Sequence, residues 1–226
     1  MTKPLLRPDT TMILVSSVDG RLTSGDSLDL DTDKHWKQKE GVRGYLQRSY
    51  SLSNEPGMFN LITGATLAHT GINYRTNPPT REDIRLIVID HHRDLTPQGI
   101  LYLSQCVKNL IVVCGRVHPV TKLVARTRNL SIITQPRFDR LGLLRELAKR
   151  DVTKLILQSS GRLNAKWIND GLVDHLTIIV YPLLVGTAGT PVLDNSKLSV
   201  VRPLRLIDTK TFDFNYIALN YDVIND

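Results

Sequence analysis

Cysteine is scarce in this chain. Cys106 and Cys114 are the only two among 226 residues, and their spacing matches neither a CxxC redox pair nor a paired-ligand metal motif. Cys114 ends the apolar run Leu110 to Val113 and is expected as a buried structural thiol. Long apolar runs are missing as well. No segment approaches the length that spans a bilayer, and no apolar stretch precedes a signal cleavage site, so a cytoplasmic protein with no membrane partner is expected. The net charge is +7, yet Lys and Arg are scattered, with no basic run and no basic–aromatic interleaving, so nucleic acid is not the expected partner. A phosphorylated small-molecule substrate or a phosphate-bearing cofactor would also favour a positive site, and a solvated basic surface would account for the charge equally well. The common fingerprints are absent too. There is no GxGxxG after a strand, no Walker A sequence and no GxSxG elbow, and neither Ser159 nor Ser160 has a local His partner. His91 and His92 would point to opposite faces of an extended chain, and no metal is expected. With no linker, repeat or low-complexity tract, residues 1–226 read as one domain.

What is present is an alternation of apolar runs and helical patterns. Strands are expected at Met12 to Val15, Met58 to Ile62, Arg85 to Ile89, Asn109 to Val113 and Leu130 to Ile133. Helices are expected at His35 to Arg48 (capped by Asp31 or Thr32), Pro97 to Ser104, Val120 to Arg126 and Arg140 to Lys149. Thr63-Gly64-Ala65-Thr66 reads as a turn, and Asn73 to Arg81, with two prolines, as a loop. Strands separated by helices imply parallel pairing through right-handed crossovers. At the C-terminus, Leu206-Ile207 and Phe212 to Tyr221 alternate without a helix, which predicts an antiparallel edge hairpin. The fold class is therefore α/β: a three-layer domain with helices on both faces of a mostly parallel sheet and a C-terminal antiparallel hairpin.

The central stretch runs from Leu155 to Leu193. A short buried strand, Leu155 to Leu157, leads into the small turn Gln158-Ser159-Ser160-Gly161. A helix follows, with Leu163, Trp167 and Ile168 near one face, closed by Gly171. Val173 to Tyr181 returns as a strand rich in β-branched residues. Strand, small turn and helix N-terminus present free N–H groups to a phosphate, or form an ordinary tight β-to-α turn. Ligands of open parallel sheets sit beyond the carboxyl ends of strands. The candidate turns there are Ser16 to Arg21, Thr63 to Thr66 and Gln158 to Arg162, with Arg21 and Arg162 able to add charge-assisted bonds. Asp19-Gly20 is at least a turn signal. Asp174 reads as a helix-to-strand junction residue, Trp167 as core, and Arg75 as either a phosphate ligand or a solvated arginine.

Three of these motifs resemble the pyrimidine reductase family of riboflavin biosynthesis. They are Ser17-Val18-Asp19-Gly20-Arg21, Gly64-Ala65-Thr66, and the series Leu163-Asn164, Leu172-Val173-Asp174 and Pro182 to Gly186. The resemblance implies a dihydrofolate-reductase-like fold, NADPH as cofactor and a homodimer. It implies reduction of the ribosyl group of 5-amino-6-(5-phosphoribosylamino)uracil, or of its diaminopyrimidinone counterpart, to a ribityl chain. Carried over, Gly64, Thr66, Thr70, Ser159, Ser160, Gly161, Arg162 and Leu163 would contact the cofactor. Ser17, Arg21 and Arg75 would contact the substrate, and Asp19 stands as the catalytic candidate. The family has a glycine pair where this chain has Ser159-Ser160, and an Asp-Asp-Pro segment where it has His69-Thr70-Gly71. The rival readings are a reductase of the same fold acting on another substrate, such as a pterin, and a non-catalytic nucleotide-binding protein.

Overall fold

The structure, a computed structural model, describes residues 7–25, 27–30, 32–39, 57–115, 118–123, 127–194, 197–212 and 216–225. The chain divides into two compact units, one of residues 1–8 and 53–159 and the other of residues 9–52 and 160–226.

The first unit contains β2 (Met58–Thr63), β3 (Arg85–Ile89), β4 (Asn109–Cys114), β5 (Leu130–Thr134) and β6 (Lys154–Leu157). All its pairings are parallel, in the order β5-β4-β3-β2-β6. The apolar runs of β3 and β4 explain this placement. Ile87, Val88, Leu110, Val112 and Val113 are all fully buried, as interior parallel strands require. Between the strands lie α2 (Gly64–His69), α3 (Pro97–Cys106) and α4 (Arg140–Ala148). α3 starts where Thr96 caps it, accepting from Gly99 N at 3.1 Å, with Pro97 at its first position. α4 buries Leu143, Leu144 and Leu147.

The second unit contains β1 (Asp9–Ser17), α1 (Thr32–His35), α5 (Gly161–Asn169), β7 (His175–Tyr181), β8 (Leu204–Phe212) and β9 (Tyr216–Val223). β1 and β7 pair parallel, β9 joins β7 antiparallel, and β8 is the outer strand. The C-terminal antiparallel hairpin is thus where the alternation pattern put it. α5 ends in a Schellman arrangement: Gly171 is left-handed, its N–H reaches Ile168 O, and Leu172 N–H reaches Trp167 O, each at 3.1 Å.

Several local expectations change. The segment expected as a helix from His35 is a short helix at Thr32–His35 followed by a 3-10 turn, Trp36–Gln38. Residues 40–56 and the cap candidate Asp31 lie outside the described residues. The helix expected from Val120 is a 3-10 turn, Pro119–Lys122, and residues 124–126 lie outside the description. Thr63 to Thr66 is not a bare turn: it opens α2. On α5 the fully buried side is Gly161, Asn164, Ala165 and Trp167, while Leu163 is only half-buried. Asn164 takes that place because its amide donates to Val192 O at 3.2 Å. Trp167 is completely buried, and Cys114 is a buried thiol that burial pushes up in pKa.

Candidate functional site

In the second unit, β1 ends at Ser17 and the chain reverses at once. Gly20, with φ +77°, makes the turn, Ser17 N–H donates to Arg21 O at 2.8 Å, and Gly20 N–H donates to Ser17 O. Ser17 Oγ donates to Asp19 Oδ1 at 2.6 Å and accepts from Arg21 N at 2.9 Å. Asp19 also receives the backbone N–H groups of Val185 at 3.1 Å and Gly186 at 2.6 Å. The Ser17 hydroxyl, then the Gly186 and Val185 amides, hold the Asp19 carboxyl down from 3.8 to about 2. At neutral pH Asp19 carries no proton, so the role of proton donor does not fit it. It latches the Ser17–Arg21 turn to the Pro182–Gly186 loop. Ser17 is likewise taken up inside the turn.

Arg21 lies along the loop that follows. Its backbone bridges Pro191, its Nη1 reaches Gly189 O at 3.4 Å, and its buried Nε has no hydrogen-bond partner among the described residues. Close in space to Pro191, Gly161 starts α5. Ser160 is its N-cap but makes no side-chain cap bond, so the first-turn N–H groups of Gly161, Arg162 and Leu163 are not capped by it. A Cβ on Gly161 would lie 2.6 Å from Pro191 O and 3.2 Å from Asp194 N. This glycine accommodates its own loop. Asp174 is the junction residue expected, its Oδ2 accepting from Thr10 N and Thr10 Oγ1 at 2.9 and 2.8 Å.

In the first unit, Thr63 caps α2. Its Oγ1 accepts from Thr66 N at 3.2 Å and shares a 2.8 Å bond with Thr66 Oγ1. Thr70 closes the same helix, its hydroxyl donating to Leu67 O at 2.8 Å. Gly64 is buried against Asp90: a Cβ there would stand 2.3 Å from Asp90 Oδ1. Gly64 thus makes a close approach to a carboxylate of its own unit. Asp90 and His118, which the sequence did not single out, form a buried pair at 2.9 Å. Beyond the same strand ends sit the exposed Arg93, in a left-handed conformation (φ 62°), and, after β5, the exposed Arg137. Ser159 ends this unit, half-buried after β6. Arg75 is exposed and, with Asn77, Pro79, Gln98 and Tyr102, lines a cavity of about 360 Å³. Among the described residues, no group of three or more His, Cys, Asp or Glu could hold a metal ion, and no helix is long and apolar enough to cross a membrane.

Residues 10–217 match the model of the RibD C-terminal domain family. The chain belongs to that family. Similar solved structures include RibD of Acinetobacter baumannii, at 17% identity and TM-score 0.67 over 97% of this chain and 59% of that one. Another is the riboflavin biosynthesis reductase Rib7 of Saccharomyces cerevisiae, at 16% identity and TM-score 0.64 over 99% and 93%. A third is the diaminohydroxyphosphoribosylaminopyrimidine deaminase/5-amino-6-(5-phosphoribosylamino)uracil reductase of Thermotoga maritima, at 13% identity and TM-score 0.63 over 96% and 57%. These likenesses establish the α/β fold that the resemblance to the pyrimidine reductases implied. The chain spans 59% of the length of Acinetobacter RibD. No curated protein sequence matches it.

Proposed function

We propose that this chain is a nicotinamide-dependent reductase of riboflavin synthesis, with NADPH as cofactor and a phosphoribosylaminopyrimidine as substrate. The observation that carries this reading is the latch between two motifs shared with the family. Asp19 of the first binds the backbone of Val185 and Gly186 at the end of the second. Both motifs lie on loops beyond strands, where binding residues are commonly carried.

The residues present suit a phosphate-bearing cofactor. Taken unit by unit, the first turn of α5 offers N–H groups with no side-chain cap in the second, and Thr66, Arg93 and Arg137 offer a hydroxyl and two cations in the first, each set suited by itself to a phosphate. In the second unit Arg21, with its buried unpartnered Nε, is the residue we assign to the substrate phosphate, and Arg75, on the wall of its own cavity in the first unit, is a separate candidate for an anion. Bound NADPH would supply the hydride that opens the sugar at C1'. The chain's own task is to hold the two reactants and exclude water. Asp19 serves as an anionic brace, and the balancing proton comes from another group or from solvent. We extend the proposal to a homodimer that covers β8, where Leu204, Leu206, Ile207 and Phe212 are exposed along the outer strand.

Titration with NADPH and NADH, followed by nicotinamide fluorescence, tests the reading. Saturable binding with NADPH the tighter ligand is expected, and binding of neither dinucleotide would rule out hydride transfer.

A further inference from the structure

Position 64 invites the reading that glycine is there to let a ligand approach. The packing gives a different reason. β2 and β3 pair with Thr63 opposite Ile89, so Gly64 and Asp90 leave adjacent strands side by side. Asp90 is completely buried and His118 nearly so. The carboxylate accepts from Asp94 N at 2.8 Å, from Leu95 N at 3.3 Å and from His118 Nε2 at 2.9 Å. The imidazole is oriented from its other side: Nδ1 accepts from Val120 N at 3.1 Å, so Nε2 carries the proton that is donated to Asp90. Turning Asp90 away would strand a buried charge and leave two backbone donors unpaired. It is a fixed wall. A Cβ at position 64 would meet its Oδ1 at 2.3 Å, its Cγ at 2.7 Å and its Cβ at 3.1 Å.

We propose that Asp90, held by His118, is a positioning residue for the Thr63–Thr66 turn, and that position 64 is glycine because of this carboxylate. Thr63 and Thr66 are bonded to each other around Gly64, so any shift of Gly64 on Asp90 moves both hydroxyls. The consequence for cofactor affinity rests on the proposed function. The geometry of the turn does not.

The test is a cycle of Gly64→Ala, Asp90→Ala and the double variant, read three ways. These are thermal midpoint, the NMR amide shift of Thr66 without ligand, and NADPH affinity well below the midpoint. Gly64→Ala is expected to lower the midpoint and to weaken NADPH about tenfold, as overpacking of a fixed site does. In the Asp90→Ala background the same step meets only the 3.1 Å Cβ contact, so it costs little and the cycle is strongly non-additive. Asp90→Ala alone is expected to move the Thr66 amide. An additive cycle would overturn the proposal. So would an Asp90→Ala protein that is less stable but keeps the wild-type Thr66 shift. A Gly64→Ala protein of unchanged midpoint that has lost NADPH would return the glycine to the ligand. If Asp90→Ala does not fold, His118→Ala replaces it: it removes the bond to Oδ2 while Asp94 N still holds Oδ1, so a smaller shift of the Thr66 amide is expected, and an unmoved amide would overturn the proposal. Failure of the wild-type protein to bind NADPH would remove the proposed function and leave the first two readouts to decide this one.

Discussion

Asp19 receives hydrogen bonds from Ser17, Gly186 and Val185, and they keep its carboxylate ionised down to about pH 2. The folded-state pKa is lower than the ordinary 3.8, so the latch contributes stability at pH values above 3.8 and loses it as pH falls through about 2. Asp19→Asn should therefore melt below wild type by a constant margin from neutral pH down to about 4, and the margin should close as pH approaches 2. Melting curves across that range check this, and a margin that persisted at pH 2 would contradict it. The two thiols make a second prediction at this scale. Burial raises the pKa of both Cys106 and Cys114, and Cys114 is fully enclosed, so a thiol reagent at neutral pH should leave Cys114 unlabelled until the protein unfolds. The sequence made Asp19 and Ser17 visible but not their partners. Val185 and Gly186 act through backbone N–H groups some 166 residues away, which no side-chain pattern announces. His118 meets Asp90 across 28 residues, and only the acidic residue directly after the apolar run of β3 hinted that a buried charge needed a partner.

Elements were legible where the physics is periodic or strongly apolar. β3 and β4 could be read from their apolar runs, α3 from its Pro97 start, and α5 from the Gly171 stop. α2 was missed because six residues beginning Gly-Ala-Thr carry too little pattern to separate a helix from a turn, and the deciding feature is the Thr63 cap. α5 carries a prediction of its own. Ser160 sits at its N-cap without a cap bond. Ser160→Asp should add a cap acceptor and a favourable charge at the helix start, raising stability by about 1 kcal/mol. It should at the same time weaken NADPH, because the new charge repels a phosphate at the same N–H groups. A thermal melt paired with a titration reads both, and tighter NADPH binding would show that the cofactor does not use this helix end.

For the whole molecule, the outer strand matters most. β8 is exposed along all nine residues and carries four exposed apolar side chains, an edge that soluble proteins usually cover or charge. If a second copy covers it, Ile207→Lys should convert the protein to a monomer in sedimentation experiments without lowering its melting point steeply. An unchanged mass would place the dimer contact elsewhere or remove it. The alternating C-terminal pattern foretold the hairpin, and nothing in it foretold that both faces of β8 would stay exposed. The +7 net charge fits anionic ligands and a solvated basic surface equally well. The measurement that tests the central claim most directly is turnover. The purified protein would be mixed with NADPH and 5-amino-6-(5-phosphoribosylamino)uracil, following nicotinamide absorbance and the sugar product together. The account predicts one NADPH oxidised for each ribityl product formed. NADPH that binds but is never oxidised by this substrate or its diaminopyrimidinone counterpart would contradict it.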